Sequence, residues 1–386
     1  MRIVRLAIGL GLVGCVACGL AFAPGDYAES GPASPAEDAA PAAPDAGMTE
    51  AGPSDAAAPS TRVLVFAGRR DAVPGEPSSV NVAETMRTTV SASGELGPWS
   101  FDVPPPQSTS WSRAVVVGEQ LFLQSSNVFV AGELALATDS GLRPEWRALP
   151  PRSLPEGFMR AWIVPDAGLA VAGGSREGSF TTNVFVAPLA DGGVEDWQLQ
   201  TSKLVKARGD VTLLRHGDFL YALGGRDNGS SSASGRDEVE VARFAADGTL
   251  GQFVATTKLV NPGADAAAFG VFLPMVTVGA GHLFVLGGQT TASSGSMTDV
   301  ALAAKIDATS GEIGPWLALP KLPAPMNSAA AVVAGDHVVV FGGNLGGASS
   351  DAVLALSIGP NGSFGTEWKK IGALPGARAG LAAVVY

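Results

Sequence analysis

The chain has 386 residues, of which 46% are hydrophobic and 16% are charged, so it is long and apolar enough to bury a large core. Its 50 glycines and 27 prolines predict many turns and few long helices. The formal net charge is −11 and no local basic patch is evident, which argues against binding to nucleic acid or to a bare anionic membrane surface.

The first residues are typical of an export signal. Arg2 and Arg5 precede an apolar run over residues 6–13, and the letters LVGC then end at Cys15. This pattern matches the lipobox, at which lipoprotein signal peptidase cuts before a cysteine that becomes lipidated. We therefore predict a lipoprotein signal peptide over residues 1–14 and lipidation of Cys15.

Other ways in which the N-terminus could be processed remain open. Cys18 could end a weaker second lipobox, and cleavage after residues 21–23 (AFA) would give a secreted protein instead, although Pro24 at the following position disfavours that cut. A retained anchor is a third alternative, but the apolar run is shorter than the about 20 residues that a spanning helix needs.

A polar segment separates this signal from the rest of the chain. From residue 24 to residue 60 almost every residue is Ala, Pro, Ser, Gly, Asp or Glu, without apolar periodicity, so the segment cannot repay the entropy of folding. We predict that residues 15–60 are the lipidated cysteine and a disordered tether, with a reach on the order of 35 Å. The remaining domain, residues 61–386, contains no cysteine and therefore neither disulfides nor thiol chemistry.

Repeats begin after the tether. Two phrases, SGELGPW and SGEIGPW, are nearly identical, and the aromatic residues that end the six related copies are Trp99, Trp146, Trp197, Phe253, Trp316 and Trp368. Between these copies, apolar runs end in a glycine pair, at Gly173-Gly174, Gly224-Gly225, Gly287-Gly288 and Gly342-Gly343. The two earliest repeats have lost the pair. The period of about 47 to 63 residues is in the range of propeller repeats.

Each repeat can be read as four strands. In the sixth, residues 329–333 and 338–341 are apolar runs joined by a tight turn, which predicts a hairpin buried on both faces. Residues 352–358 and 368–371 then form a second hairpin across the turn Asn361-Gly362. Four strands with their connections fill about 50 residues, in agreement with the period.

The two ends of the domain complement each other. Residues 377–386 look like the start of a further repeat, whereas residues 62–68 look like a second strand without a first strand before it. The sequence therefore predicts that the C-terminal strand pairs with residues 63–67, joining both ends in one unit and removing a free sheet edge.

The pattern of an apolar strand, a second strand ending in Gly-Gly, a third strand and a Trp at the fourth resembles the kelch repeat family over roughly residues 62–386. The resemblance implies an all-β fold, a six-bladed kelch-type β-propeller with four-stranded antiparallel blades, closed by the C-terminal strand in blade one. The repeated Trp is expected to pack between neighbouring sheets. The glycine pairs are expected where backbone geometry or close packing leaves no room for a side chain.

A recurrent polar position suggests a ligand site. Arg113, Arg160, Arg208 and Arg378 each occur just before a predicted innermost strand, and Asn327 takes the equivalent place in the sixth repeat. These side chains are predicted to ring one mouth of the channel, and the resemblance implies contact with acidic ligands there. The alternative is that each arginine fixes a loop by bonding to carbonyls or to an acidic residue.

Neither a metal nor a cofactor is predicted. The three histidines, His216, His282 and His337, have no metal-ligand spacing, and the Asp-Gly strings are ordinary turn chemistry. Kelch-like copper-radical oxidases need a cysteine that this domain lacks, and no sialidase Asp box is present. The tripeptide Arg208-Gly209-Asp210 matches an integrin motif too short to be specific.

These observations favour a non-enzymatic binding propeller. We expect a monomeric lipoprotein, tethered in the cell envelope at the outer membrane or cell surface, or otherwise periplasmic or secreted, that binds a protein, peptide or glycan. The alternative is a periplasmic sugar-active enzyme, because the family resemblance includes a sialic acid mutarotase. That chemistry needs an acid/base pair and an arginine, for which Glu156 or Glu238 are the candidate carboxylates.

Overall fold

The computed structural model describes residues 60–386 apart from short gaps, and the described residues belong to one compact unit. The predicted signal peptide, Cys15 and the tether lie outside the described residues. In the described ranges no helix is both long and apolar enough to cross a membrane. The gaps are residues 74–75, 77–78, 108–110, 118–119, 126–127, 136–142, 149–154, 158–161, 165–167, 191–192, 231–232, 263–266 and 294–295.

The described chain is almost entirely β-structure, as the sequence predicts, and its helical content is one 3₁₀ turn, Pro360–Gly362. Five antiparallel sheets contain four strands each, and a sixth contains the same four-stranded unit with two short additional strands. We number the sheets 1 to 6 and give the strands of each in their order of pairing.

The first three sheets contain the following strands. Sheet 1 comprises Ala382–Val385, Ser60–Phe66, Thr85–Ser91 and Ser100–Asp102; sheet 2 comprises Arg113–Val117, Gln120–Ser125, Val128–Ala135 and Arg143–Ala148; sheet 3 comprises Trp162–Val164, Gly168–Ala172, Val184–Ala187 and Gln198–Leu199.

The other three continue along the chain. Sheet 4 comprises Thr212–His216, Phe219–Leu223, Val239–Arg243 and Val254–Ala255; sheet 5 comprises Met275–Gly279, His282–Leu286, Ala301–Ile306 and Ile313–Ala318; sheet 6 comprises Ala330–Ala334, His337–Phe341, Ala348–Ser357 and Lys369–Arg378. The third and fourth strands of sheet 6 are longer than predicted, because their pairing runs on past two register shifts to Ser350 and Arg378.

Short strands decorate these sheets. Met326–Asn327 and Asn344–Leu345 extend sheet 6, and the separate two-stranded pairs are Arg69–Arg70 with Val80–Asn81, Ser175–Arg176 with Ser179–Phe180, Leu189–Ala190 with Gly193–Val194, and Val260–Asn261 with Ala267–Ala268.

Sheet 1 is built from both ends of the described chain. Its first strand is C-terminal and pairs antiparallel with the N-terminal strand, with Val63 opposite Val385 and Phe66 opposite Ala382. This is the strand pairing predicted from the complementary ends of the repeats.

Apolar residues fill the spaces between successive sheets. Tyr221 and Leu223 of sheet 4 pack with Leu283, Val285 and Trp316 of sheet 5, and all five are at most 5% exposed. Equivalent clusters lie between the other neighbouring sheets, including sheets 6 and 1. Both faces of each sheet are therefore buried in the core, which explains why the strands are continuous apolar runs in the sequence.

In sheets 1, 5 and 6 the repeated tryptophan is hydrogen-bonded to the preceding sheet. The indole N–H of Trp316 donates to the carbonyl of Thr257 (3.3 Å), that of Trp368 donates to Pro320 (2.9 Å), and that of Trp99 donates to Ala373 (2.7 Å). Each acceptor lies at or just beyond the outer strand of the preceding sheet.

Sheet 4 makes this joint differently. Phe253 replaces the tryptophan and is buried at 4% exposure, but it has no N–H to donate. The neighbouring Gln252 side chain donates to the carbonyl of Thr201 (3.2 Å), at the same offset from the outer strand. A side-chain amide thus takes over the hydrogen bond of the missing indole.

The glycine pairs form a second joint. The second glycine of each pair donates its N–H to a carbonyl just before the first strand of the next sheet; the bonds run from Gly174 to Arg208, Gly225 to Val271, Gly288 to Met326, and Gly343 to Arg378, at 2.8–3.0 Å. Every glycine of the four pairs has positive φ, from +54° to +107°. A side chain at Gly342, for example, would place its Cβ 2.6 Å from the carbonyl oxygen of Arg378.

Sheet 1 has the backbone conformation of this joint but lacks the glycine pair. Ala67 and Gly68 have φ of 53° and 108°, close to the 54° and 107° of Gly224 and Gly225. The pair that looks lost in the first repeat is therefore preserved as a conformation, with alanine held in the left-handed region.

Candidate functional site

A channel with a cavity volume of about 360 Å³ is lined by the first strands of sheets 1, 2, 4, 5 and 6. The first strands contact one another in the order of sheets 1 to 6, and the strand of sheet 6 contacts that of sheet 1 again. Its lining consists mostly of Ala, Val, Leu, Met and Pro; the other side chains are Trp111, Ser112, Arg113, Arg215, Thr277 and Ser328. Among the lining residues that the structure describes there is no carboxylate.

One mouth of the channel is defined by a repeated backbone conformation. Two residues before the first strand, five sheets have a residue in the left-handed region, namely Trp111 (φ 60°), Asp210 (49°), Leu273 (56°), Ser328 (57°) and Gly380 (67°). Gly and Asp adopt this region readily, but a bulky residue there is a true outlier and commonly marks a functional site. Trp111 and Leu273 also line the channel.

Residue type alone does not indicate Trp111 or Leu273 as mouth residues. Residue type predicts left-handed backbone at glycine, asparagine or aspartate, and neither tryptophan nor leucine belongs to that class. Only their constant distance from the first strand could have indicated them, and this distance is known only once the strand boundaries are known.

The five residues predicted to ring the mouth do not share one position. Measured from the left-handed residue of each sheet, Arg208 and Arg378 lie two residues before it, Asn327 lies one before, and Arg113 lies two after, inside the strand. Arg160 lies outside the described residues. The structure therefore brings only part of the predicted set to the channel.

Arg208 is held entirely inside the protein. Its side chain has no exposed surface and forms an ion pair with the buried carboxylate of Glu240 (2.5 Å). The same guanidinium donates to the carbonyls of Gly224 (2.8 Å), Lys206 (3.0 Å) and Ala222 (3.2 Å). This arrangement corresponds to the alternative interpretation of the arginines, in which the side chain fixes the backbone.

Glu240 completes this network. Besides Arg208, its carboxylate accepts hydrogen bonds from the backbone N–H groups of Val205 (2.8 Å) and Lys206 (3.1 Å). The carboxylate therefore ties the segment that enters sheet 4 to the third strand of the same sheet.

Arg378, at the end of the fourth strand of sheet 6, forms a related ion pair with a carboxylate of sheet 1. Its residue is 5% exposed, and its guanidinium lies 2.8 Å from the carboxylate of Glu84, at the start of the third strand of that sheet. Asn327 is likewise buried at 5% exposure, and its side-chain oxygen accepts a hydrogen bond from the hydroxyl of Ser328 (2.9 Å). None of these groups lines the channel.

Arg113 is the predicted residue that does line the channel. Its guanidinium donates to the carbonyls of Ser112 (3.0 Å) and Trp111 (3.3 Å), so it is oriented by the left-handed turn at the mouth. Arg215 contributes a second guanidinium to the lining, but that group lies over the ring of Phe244 (4.7 Å) and donates to the carbonyl of Gly217 (2.9 Å).

The candidate acid/base carboxylates lie outside the channel lining. Glu238 forms a two-bond ion pair with Arg236 (2.6 and 3.0 Å). Burial of this carboxyl favours its neutral form, but the hydrogen bonds from Arg236 and from the backbone and the positive charges of Arg236 and Arg208 outweigh burial and lower the pKa of Glu238. Glu156 accepts hydrogen bonds from Thr181 and Asn183, both at 2.6 Å.

Two of the three histidines, His282 and His337, pack against turns of neighbouring sheets. The ring of His337 lies where a side chain on Gly94 of sheet 1 would place its Cβ, 2.5 Å from Nε2, and the ring of His282 lies in the same way beside Gly362 of sheet 6. Burial lowers the pKa of His337, partly offset by the charge of Asp336. Among the residues that the structure describes, no cluster of three or more His, Cys, Asp or Glu could hold a metal.

Comparison with known proteins identifies the fold. No family model matches the chain, and no curated protein matches its sequence. Solved structures do match, and one of them is the structure of YjhT, with a TM-score of 0.52 and 15% sequence identity over 72% of this chain and 87% of that chain. At this identity the likeness shows the fold alone. Together with the repeated joints, it shows that the chain has a kelch-like β-propeller fold.

Proposed function

We propose that this protein is a non-enzymatic binding propeller that takes its ligand at the channel mouth beside Trp111, Arg113 and Leu273. The observation that carries the proposal is the lining itself, which is largely aliphatic, includes two guanidinium groups and, among the described residues, has no carboxylate. A concave surface with an oriented cation can bind a ligand, but the described lining side chains include no carboxylate to serve as a partner for proton transfer.

The alternative, a sugar-active enzyme, receives less support from this geometry. Catalysis of anomer interconversion would need an acid that is neutral near pH 7. Glu238 is kept ionised by Arg236, and neither Glu238 nor Glu156 lines the channel.

A binding screen of residues 60–386 on peptide and glycan arrays tests the proposed function. Each positive should be repeated with Ala331→Phe, which adds bulk to the channel wall, and with Arg243→Gln, a control for an exposed arginine away from the lining. We expect ligands whose binding is lost in the first variant and kept in the second. Ligands that bind both variants equally would place the site elsewhere.

We also infer that the sheets are six blades of a closed ring. The support is that sheets 6 and 1 share the joints found between the others, namely the hydrogen bonds from Trp99 to Ala373 and from Gly343 to Arg378, and that Val63 pairs with Val385. Deletion of residues 377–386 should therefore abolish cooperative unfolding. An unchanged melting transition in the truncated protein would contradict closure.

Lipid anchoring at Cys15 and the tether over residues 15–60 remain proposals that rest on the lipobox pattern. Growth with a labelled fatty acid should label the full-length protein and not Cys15→Ser. Equal labelling of both would contradict the assignment of Cys15 and would direct the test to Cys18.

A further inference from the structure

We propose that residues 103–107 (VPPPQ) form a docking segment for a partner protein whose groove is lined by aromatic side chains. The segment follows the outer strand of sheet 1, Ser100–Asp102, and none of its residues lines the channel. It is therefore a second binding surface, and it does not depend on the proposed function of the channel mouth.

Three consecutive prolines fix the backbone of the docking segment. Each proline ring holds φ near about −65°, and a residue that precedes a proline is confined to an extended ψ of about 120–160°. Both constraints act on Pro104 and on Pro105, so these two residues adopt the polyproline II conformation. In agreement, residues 103–105 belong neither to a strand nor to a helix. A segment that is already rigid loses little conformational entropy when it binds.

The exposure of the side chains follows the three residues per turn of polyproline II. Asp102 and Pro105 lie three residues apart and face the protein, since the Asp102 side chain is 3% exposed and Pro105 is buried. The other two edges of the docking segment face solvent, and their residues are Val103, Pro104, Pro106 and Gln107. One edge therefore holds the segment on sheet 1, and two adjacent edges are free to enter a groove.

Sheet 5 has an equivalent segment, which can be aligned through the hydrogen bond from the tryptophan of the next sheet. The carbonyl of Val103 accepts the indole N–H of Trp146 (2.9 Å), and the carbonyl of Pro320 accepts that of Trp368 (2.9 Å). The alignment places Pro323 of sheet 5 opposite Pro106 of the docking segment, and both prolines are exposed.

The same alignment shows what distinguishes the docking segment. The buried place of Pro105 is taken in sheet 5 by Leu322, so the inward contact is common to both sheets. The place of Pro104 is taken by Lys321, which forms an ion pair with Asp299 (3.2 Å). Sheet 5 thus presents a paired charge where sheet 1 presents an uninterrupted run of proline.

The chemistry of the exposed edges determines the class of partner. A proline has a carbonyl but no N–H, so the three prolines can only accept backbone hydrogen bonds. A second copy of the prolines would offer acceptors alone, and a lipid tail offers no donor. Trp and Tyr side chains combine a flat apolar ring with an N–H or O–H donor, and grooves lined by such rings bind proline-rich segments.

Apolar side chains beside the prolines enlarge the surface that such a groove would cover. Val103 is 51% exposed, and Phe101 in the outer strand is 59% exposed. Burial of both against aromatic rings would add hydrophobic stabilisation to the hydrogen bonds at the proline carbonyls.

The test measures binding of the purified full-length protein to a panel of SH3, WW and EVH1 domains, which bind polyproline II segments, by calorimetry. We expect at least one domain to bind. Val103→Glu and Pro106→Glu, on the same exposed edge, should each weaken binding by about tenfold or more, because a carboxylate would be buried against apolar rings. Pro323→Glu is the matched control at the equivalent place in sheet 5 and should leave the affinity unchanged.

A further variant, Pro104→Gly, tests the contribution of the rigid backbone. Its affinity should fall by about twofold or more, because the unbound segment then has more conformations to lose. All four positions are exposed, so the thermal unfolding transition should be retained in every variant.

Two results would overturn the proposal. The first is a panel in which no domain binds, or in which Pro323→Glu reduces binding as much as Val103→Glu and Pro106→Glu do. The second is a dimer of the unmodified chain in analytical ultracentrifugation that is lost in Val103→Glu, which would make another copy of the chain the occupant of this surface.

Discussion

The buried ion pair between Arg208 and Glu240 allows a sharp stability prediction, made with the substitution Glu240→Ala. The substitution leaves a guanidinium with no exposed surface without its counter-charge, and it leaves the N–H groups of Val205 and Lys206 without their acceptor. Breaking a buried pair from one side costs about 3–5 kcal/mol, because the remaining charge stays desolvated. The midpoint of unfolding should fall by roughly 6–15 °C, at about 2–3 °C per kcal/mol for a domain of this size.

The assay is denaturant and thermal unfolding of residues 60–386, followed by tryptophan fluorescence. The matched control is Asp218→Ala, which breaks the pair with Arg243 in the same sheet, where both side chains are at least 60% exposed. That exposed pair should contribute at most about 1 kcal/mol.

The double variant Arg208→Met with Glu240→Leu gives a further check. Removing both charges together should recover a large part of the lost stability, because no unpaired ion is then buried. Equal destabilisation by Glu240→Ala and Asp218→Ala would refute the assignment of Arg208 to the core. Arg208 would then again be a candidate for ligand contact.

Three other substitutions test the joints between sheets. Gly342 and Gly346 have nearly the same φ, +59° and +60°, but a side chain at Gly342 would meet a carbonyl oxygen, whereas the space beside Gly346 is open. Gly346→Ala should therefore cost only about 1–2 kcal/mol of left-handed strain, and Gly342→Ala should cost more. Equal losses of stability would contradict the close approach at Gly342. Trp316→Ala should cost about 3–5 kcal/mol in the same assay, and a loss below about 1 kcal/mol would contradict its role between sheets. His337 has a pKa below its ordinary value of 6.5, so its neutral form stabilises the fold above that pH, and this contribution is lost as the pH falls through the folded-state pKa. The stability of His337→Phe should therefore fall less between pH 7 and pH 5 than that of the unmodified chain, and parallel curves would contradict the burial of the neutral ring.

Much of the fold could be predicted from the sequence because it is local and repeated. Apolar runs, Asp-Gly or Ser-Gly turns and one Trp in most units are short-range signals that recur, so an error in one repeat is corrected by the others. The pairing of the C-terminal strand with residues 63–67 followed from the same register.

The site could not be predicted in the same way. Whether an arginine reaches the channel depends on its exact offset from the first strand. Arg113 is the first residue of its strand, whereas Arg208 lies four residues before its strand and ahead of the left-handed residue. The partner of Arg208 is Glu240, 32 residues further along the chain, and no local pattern connects the two.

The binding claim is tested most directly by native mass spectrometry of the protein purified from the cells that make it. The unmodified chain should carry a bound molecule that is released on unfolding, and Ala331→Phe purified in parallel should carry none. A chain that is free of ligand, or a ligand that is equally abundant in both proteins, would contradict the assignment of the channel as the binding site.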